Sequence, residues 1–375
     1  MTSKPRVLVT TPHGRTGSAA VTELLRLGFP VRGLVRKDDH RAARLREMGV
    51  EVVVGSLYDW RDLQRALEGV QRAYQCAPAD SRTLHGATLF ALAAEEAKLE
   101  VVALMSGWNP HPSHPSIHTR ENWMVNNIYR RMPSFDVIHI NPGLFAFAYL
   151  LGLPMVAHFG MLAGPWGDGR NAPPSNEDSG AVAAGALADP RRYIGRCLRP
   201  TGPELISPTD IATTLGKVLG RKVTYRDAPI TMLLKAATAQ GFDKFALAQV
   251  RHYMAELAGG TFAAGAPTDD VREVTGRAPE DFESIARRYV ADPSKIMPGL
   301  EIGSIWSAMA LAARVMITPV PDLDAWERTQ GYPLIEDGVI AHENPEWLRA
   351  ANENQLLLQP DPVAHSAGRE LAAVG

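Results

Sequence analysis

The sequence predicts an α/β fold built on a doubly wound parallel sheet, with a smaller, mostly helical C-terminal domain and an extension. Short apolar runs rich in β-branched residues alternate with helix-like segments through the first half of the chain. This alternation indicates parallel βαβ units. The runs are almost continuously apolar, as strands are when helices cover both faces of a sheet. A length of 375 residues allows for such a core plus further material.

Six strands and the helices between them account for the first part of the chain. We expect strands over residues 6–10, 31–35, 50–54, 72–76, 101–105 and 135–140. We expect helices over residues 17–27, 38–48, 60–67 and 83–98, and a further helix that begins near residue 119. Gly28, Gly49 and Gly69 provide stop signals for the first three helices, and Asp59 is a predicted cap.

The periodicity weakens after residue 150, and this sets the expected domain organisation. Residues 1–150 are predicted to form the sheet domain, with segments near 177–215 returning to it. Residues 151–291 are predicted to form a smaller domain, and residues 292–375 an extension. Later helices are expected over 177–188, 208–219, most of 230–290 and near 300–316, with a short strand at 224–226 and an irregular tail containing tryptophan.

The composition excludes several classes of protein. A 45% apolar content rules out global disorder. A net charge of −2 provides no excess of positive charge with which to bind nucleic acid or an anionic membrane. Two cysteines cannot form a disulfide framework, and no secretory signal is recognisable, so a cytoplasmic location is expected. Residues 137–167 contain no Asp, Glu, Lys or Arg, but Pro154, several glycines and His158 interrupt them, so we expect no membrane span.

The loop after the first strand carries the clearest binding motif. The segment Thr11-Pro12-His13-Gly14-Arg15-Thr16-Gly17 leads from a strand into a helix. Gly14 and Gly17 stand where a dinucleotide fingerprint needs glycine for phosphate approach and for helix–strand packing, whereas Thr11 replaces the usual first glycine. Amide groups that open such a helix bind phosphate, so the motif indicates a dinucleotide site.

Ligands of a parallel sheet bind beyond the carboxyl ends of its strands, so the residues that follow each strand are the expected contacts. The predicted cofactor-binding residues are Thr11, His13, Gly14, Arg15, Thr16, Gly17, Arg36, Lys37, Ser56, Leu57, Cys76, Ala77, Pro78, Ser106 and Pro142. Cys76 has an alternative interpretation as a small buried apolar residue.

The residues after the second strand favour NADP(H) as cofactor, with NAD possible. An NAD site places an acidic residue there, whereas this chain has Arg36 and Lys37. Arg36 and Arg15 could bracket a 2′-phosphate, because guanidinium groups bind phosphate well. Alternatively, both are solvated surface arginines, and the following Asp38 and Asp39 weaken the argument.

Several sequence segments, taken in chain order, resemble the pattern of the NmrA-like family of atypical short-chain dehydrogenase/reductases. They are GRTG at 14–17, VRGLVRKD at 31–38, GVEVVVGSLYD at 49–59, LEGVQRAY at 67–74, NPGLF at 141–145 and the helix at 273–290. The resemblance implies a Rossmann-like NAD(P)-binding domain and a lid-like domain, with substrate between them. It also implies either an NADPH-dependent reductase of quinones, dyes and related compounds, or a protein that senses the dinucleotide and regulates partners.

The standard catalytic pair of short-chain reductases, Tyr-x-x-x-Lys, is missing from its expected region. No lysine lies between Lys98 and Lys217, and the corresponding segment begins His118-Thr119-Arg120. His118 is the candidate proton donor because imidazole titrates near neutral pH, with a helix-capping histidine as the alternative. Highly electrophilic acceptors such as quinones need little acid catalysis.

Other histidines and aromatic residues surround the expected substrate region. His111, His114 and His118 lie in a proline-rich loop. Metal ligands must all point to one ion, which the prolines make difficult, so no metal is expected. Planar substrates could stack on aromatic side chains, the candidates being Trp108, Trp123, Phe145, Phe147, Tyr149 and Trp166. Core packing is an equal alternative for Trp123 and Phe147.

Two functional hypotheses follow from the sequence. The first is an NAD(P)H-dependent oxidoreductase that transfers hydride from NADPH to a hydrophobic conjugated or aromatic carbonyl-type substrate such as a quinone, dye or enone. The second is a non-catalytic NAD(P) redox sensor or regulatory protein. The expected partner is a small hydrophobic substrate, with a homodimer possible and neither nucleic acid nor membrane expected.

Overall fold

The computed structural model describes residues 4–297 and 299–353 and confirms the parallel sheet flanked by helices. Its strands are β1 (Val7–Val9), β2 (Val31–Val35), β3 (Glu51–Val54), β4 (Arg72–Gln75), β5 (Val101–Met105), β6 (Asp136–Ile140), β7 (Met161–Gly164), β8 (Cys197–Leu198) and β9 (Thr224–Asp227). Its helices are α1 (Arg15–Arg26), α2 (His40–Glu47), α3 (Trp60–Leu67), α4 (Thr83–Glu96), α5 (Ile117–Tyr129), α6 (Leu153–Phe159), α7 (Asn176–Ala188), α8 (Pro208–Leu219), α9 (Ile230–Ala239), α10 (Lys244–Ala258), α11 (Asp270–Thr275), α12 (Phe282–Ala291), α13 (Ile305–Ile317), α14 (Leu323–Gln330) and α15 (Pro345–Asn352).

Seven parallel strands form the main sheet in the order β3-β2-β1-β4-β5-β6-β8. Val7 of β1 pairs with Val31 on one side and with Arg72 on the other. The strand order therefore changes direction between β1 and β4, where open α/β sheets bind ligands. The two-residue strand β8 was not predicted because so short a run gives no periodic signal. β7 and β9 form a separate parallel pair.

Helices cover both faces of the main sheet. Val7 and Val9 contact the apolar cluster that includes α1 and α7, whereas Leu8 contacts the opposite cluster, which includes α3, α4 and α5. Successive strand residues point to opposite faces, so both faces must be apolar to be buried. α7 packs closely on α1 through Gly180, beside the loop that carries the binding motif.

α5 begins two residues earlier than predicted. Ser116 caps the helix, because its hydroxyl accepts a hydrogen bond from the Thr119 amide at 3.2 Å. Ser116 follows a proline, a combination that favours a helix start at the next residue. The helix predicted to begin near residue 119 is therefore present, and His118 lies inside its first turn instead of at its cap, which Ser116 provides.

The uncharged stretch 137–167 folds as most of β6, a short 3-10 helix, α6 and β7. Gly160, at the left-handed angle φ 64°, ends α6 after seven residues. Within residues 4–297 and 299–353, no helix is long and apolar enough to cross a membrane.

The prediction of an irregular tail after residue 319 was wrong. Asp322 and Asn344 cap α14 and α15, and Pro345 opens α15, which are ordinary signals of a helix start. Trp347 of α15 is buried in the same apolar cluster as Trp108 of the sheet domain. The described part of the extension therefore contributes to a shared core. Residues 354–375 lie outside the described part of the chain.

Candidate functional site

The turn between β1 and α1 is tight, and two glycines and a threonine hold it. The amide of Gly14 donates to the Thr11 carbonyl at 2.9 Å. A methyl group at Gly17 would collide with that same carbonyl oxygen, so helix and strand approach closely only with glycine there. The Thr11 hydroxyl donates to the Cys76 carbonyl at 2.8 Å, which ties the turn to the residue after β4. A glycine at position 11 would lack this link.

The turn opens into a cleft at the carboxyl ends of β1, β2 and β4. Gly14 precedes α1 without any side-chain cap, and the first turn contains no acidic residue, so its amide groups are available to an anion. The cleft has an empty volume of about 1080 Å³. Its lining consists of Thr10, Thr11, Pro12, His13, Gly14, Leu34, Val35, Arg36, Lys37, Arg41, Gly55, Leu57, Tyr58, Pro78, Asp80 and Arg82.

The two acidic residues after β2 are already paired with arginines. Asp38 forms an ion pair with Arg46 at 2.7 Å, and Asp39 pairs with Arg41 at 2.6 Å. Asp39 also caps α2 by accepting from the Arg41 amide at 2.9 Å. Both carboxylates are therefore paired with arginines of α2. Their negative charge is partly neutralised, so their presence in this loop argues only weakly against a phosphate site.

Positive charge remains at this end of the cleft. Arg36 and Lys37 are exposed, line the cleft and form no ion pair with any described carboxylate. Arg41 adds a third cationic group to the same wall, although Asp39 partly neutralises it. Sequence reasoning missed Arg41, which the first turn of α2 brings to the sheet edge. A phosphate would find guanidinium and ammonium donors here.

Arg15 does not lie beside Arg36 in this structure, and the bracket of a 2′-phosphate by the two arginines stays a prediction. The Arg15 guanidinium donates through Nε to the Ile296 carbonyl at 3.1 Å and lies 4.1 Å from the Phe147 ring centroid. It is absent from the lining of the cleft. Contacts with a residue 281 positions later could not be read from local sequence, and they link α1 to the segment after α12.

Several other predicted contacts lie beside the cleft instead of lining it. The Ser56 hydroxyl accepts from the Tyr58 amide at 3.1 Å. Thr16 Oγ lies 3.6 Å from Cys76 Sγ, and the two residues adjoin the turn. Ala77 is half-buried and directly precedes Pro78, which does line the cleft.

Ser106 and Pro142 follow the neighbouring strands β5 and β6, farther along the same sheet edge. The Asn126 side-chain amide of α5 donates to the Ser106 hydroxyl at 2.9 Å. Asn141, directly before Pro142, is fully buried, and neither polar atom of its side chain has a partner among the described residues. The edge therefore offers free hydrogen-bonding groups beside the predicted cofactor position.

His118 is neutral at ordinary pH. Burial lowers its pKa to about 4. Its Nε2 lies 3.3 Å from the side-chain amide of Asn122, and its Nδ1 is buried without a partner among the described residues. The reason for choosing His118, titration near neutral pH, is therefore removed. Proton donation by this residue stays a prediction.

Glu121 is an ionisable group that sequence reasoning missed. Burial raises its pKa to about 7, and the nearby Asp80 carboxylate acts in the same direction, whereas Arg120 opposes both. Its Oε2 has no partner among the described residues. No sequence signal could have shown this, because the shift arises from packing of α5 against the start of α4.

The remaining histidines and most aromatic residues have structural roles. His114 Nε2 contacts the buried Glu256 carboxylate at 2.8 Å, and His111 Nδ1 accepts from the Ser113 amide at 3.2 Å. Within the described ranges, no group of three or more histidine, cysteine, aspartate or glutamate side chains could hold a metal. Trp108, Tyr149 and Trp166 are buried in the core, so a stacking surface is left to half-buried residues such as Phe145 and Phe147.

Residues 3–106, which include the turn and the cationic wall, match the NmrA-like family. The family resemblance drawn from the sequence motifs is therefore confirmed. A curated relative is an NAD(P)H azoreductase of Xenophilus azovorans, 27% identical over 286 residues that make up 76% of this chain and 98% of the relative.

Two solved structures share the fold. An NADPH-dependent quinone oxidoreductase of Escherichia coli in complex with NADPH superposes with a TM-score of 0.67 and 19% identity, covering 75% of this chain and 99% of that one. The negative transcriptional regulator NmrA in complex with NADP superposes with a TM-score of 0.64 and 16% identity, covering 80% and 99%. The fold thus occurs in proteins described as enzymes and as regulators.

Proposed function

We propose that this NmrA-like chain is an NADP(H)-dependent oxidoreductase that reduces hydrophobic conjugated or aromatic carbonyl-type compounds, such as quinones, dyes or enones. The observation that carries the proposal is the cationic wall formed by Arg36, Lys37 and Arg41 beside the glycine turn. An extra phosphate on the adenosine ribose gives these cations a partner, which NADP(H) has and NAD(H) lacks. Similarity to an azoreductase supports the reductase class.

The residues present fit the cofactor. The open start of α1 and the approach permitted at Gly17 would hold the pyrophosphate, and Arg36 and Lys37 would hold the 2′-phosphate. Bound NADPH would supply a hydride. With His118 neutral and Tyr-x-x-x-Lys missing, the chain has no assigned acid, which suits acceptors that need little protonation at the moment of hydride arrival.

A non-catalytic redox sensor is the second candidate. The similarity in fold to a transcriptional regulator that binds NADP supports it, as does the missing catalytic pair. A sensor must bind the oxidised and reduced cofactors with different affinity, because a ligand shifts a conformational equilibrium only through such a difference.

Calorimetry and turnover measurements on the purified protein separate these functions. NADPH, NADP⁺, NADH and NAD⁺ are titrated, and NADPH oxidation is then followed with a naphthoquinone, an azo dye, a triphenylmethane dye, an enone and a simple ketone. Oxidation above the protein-free rate with at least one conjugated acceptor supports the enzyme. Binding of NADPH and NADP⁺ with different affinity, without turnover of any acceptor, points to the sensor. If no dinucleotide gives heat on titration, both functions are excluded.

A further inference from the structure

The outward face of α13 is apolar along its whole length. Ile305, Trp306, Met309, Met316 and Ile317 are exposed by 47 to 82%, whereas Ala308 on the opposite side is buried. The helical period places these five side chains on one continuous side. The buried side packs on α6 and α9, so the exposed side has no partner among the described residues.

The apolar area continues onto the elements around α13. Val320 follows the helix, Met232 lies on α9, and Phe159 and Met161 lie at the junction of α6 and β7; all four are exposed. Nine of the fifteen exposed large apolar residues in the described chain thus lie on or beside α13. Side chains of this size leave apolar area on the order of 800 Å², above the largest patch of a typical monomer. It is also close to what each partner contributes to a standard protein interface.

We propose that this face of α13 is the interface of a homodimer, with a second copy of the chain as its occupant. Interface cores are rich in tryptophan, methionine and other apolar residues and poor in charge. The only charged residue between Glu301 and Asp322 is Arg314. A helix that docks on anionic lipid carries many basic residues at its borders. Glu301 and Asp322 flank α13 in the sequence, and Lys235 of α9 places one basic group at its C-terminal end, where it donates to the Met316 carbonyl at 3.0 Å.

The spacing of the side chains fits a two-fold axis at Ala313, in the C-terminal half of α13. Ala310 and Ala313 are small and exposed, so two copies of the helix can approach closely there. In an antiparallel pair centred on Ala313, Met309 of each copy faces Ile317 of the other. A symmetric contact of this kind uses the same patch on both subunits and closes on itself. The proposal does not depend on the proposed function.

The test is the mass of the full-length chain in solution, by light scattering and sedimentation over a range of concentrations. We expect a dimer for the unaltered protein. Met309→Glu or Ile317→Glu places an unpaired carboxylate in the interface from each of the two subunits. Each substitution should therefore weaken dimerisation by about 100-fold or more. Leu92→Glu on α4 is the matched control, because Leu92 is exposed to the same 48% as Met309; it should remain dimeric.

A disulfide provides a second measurement that does not depend on weakened association. Ala313→Cys should form a covalent dimer under mild oxidation, whereas Ala43→Cys, on the exposed side of α2, should not. A chain that is monomeric at every concentration overturns the proposal. A dimer that survives both glutamate variants, or a monomer that co-sediments with lipid vesicles through α13, overturns it as well.

Discussion

The proposed preference for NADP(H) depends on individual charges at the end of β2. Arg36 has no acidic partner among the described residues, whereas Asp38 and Asp39 form ion pairs with arginines of α2. A single free guanidinium at this position therefore matters more than the acidic composition of the loop. We expect the preference between NADP(H) and NAD(H) to depend on whether the 2′-phosphate lies next to a positive or a negative side chain here.

Replacement of Arg36 by aspartate should reverse this preference. We expect Arg36→Asp to weaken NADPH binding by about 100-fold, since a charge-assisted contact is lost and a repulsive one is gained. NADH binding should change by less than about threefold. Calorimetric titration of both cofactors measures the ratio. Arg44→Asp, an exposed change on α2 outside the cleft lining, is the control. Equal losses for both cofactors would remove Arg36 from the phosphate site.

Glu121 should make stability fall as pH rises. Burial raises its pKa from 4.5 to about 7, so the folded state holds a proton that the unfolded state has already released. The stabilisation is complete below about pH 4.5 and is lost as the pH passes about 7. Glu121→Gln should therefore unfold with a free energy up to about 3 kcal/mol higher than the unaltered chain at pH 8, and nearly equal at pH 4.5.

Urea unfolding at both pH values checks this expectation. The exposed Glu47→Gln on α2 is the matched control and should leave the difference between the two pH values unchanged. If Glu121→Gln is no more stable than the unaltered chain at pH 8, then Glu121 is hydrated or paired and its pKa is ordinary.

At the scale of elements, the contact between α1 and α7 supports the binding turn. An added methyl at Gly180 would lie 2.5 Å from the Ala19 Cβ and equally close to the Thr16 carbonyl oxygen, both on α1. The two helices are therefore in backbone contact, and α7 fixes the position of the first turn of α1. This contact explains how a helix so far along the chain packs against the main sheet beside α1.

Gly180→Ala should separate these helices. We expect a loss of about 1–3 kcal/mol in the free energy of unfolding, as for other overpacked sites, together with weaker cofactor binding. Gly152→Ala is the control, since a methyl group added there would have no other atom within 4 Å and the φ of Gly152 is −90°. Denaturant unfolding and calorimetry measure the two effects. An unchanged stability would mean that the helices can shift apart without cost.

At the scale of the whole molecule, one buried carboxylate joins three distant segments. Glu256 of α10 accepts from the Asn109 side chain at 2.9 Å and from the Ala341 amide at 2.8 Å, and it contacts His114. Burial alone would raise its pKa, but contacts from His114, Thr261 and Ala341 lower it to about 2. The loop after β5, α10 and the extension therefore share one charged centre.

Glu256→Ala should loosen the extension. The change leaves the buried donors of Asn109, His114, Thr261 and Ala341 without their carboxylate partner, and we expect a loss of about 3–5 kcal/mol at neutral pH. Because the pKa of Glu256 is lowered, the contribution is present above about pH 4.5 and is lost as the pH falls toward about 2. Limited proteolysis should then cleave near residue 341 sooner. Glu346→Ala, an exposed change on α15, should leave the cleavage rate unchanged.

The sequence alone determined β1 to β6 of the main sheet, the glycine turn and the positions of Arg36 and Lys37 after β2, because these depend on local periodicity, caps and a short motif. Tertiary structure decided the direction of Arg15, the neutral state of His118, the raised pKa of Glu121 and the burial of Trp347 of the extension in the same core as Trp108. Each of these depends on contacts between residues far apart in the chain or on burial of charge. Low dielectric surroundings and packing partners are set only when the elements come together, so no local pattern could predict them.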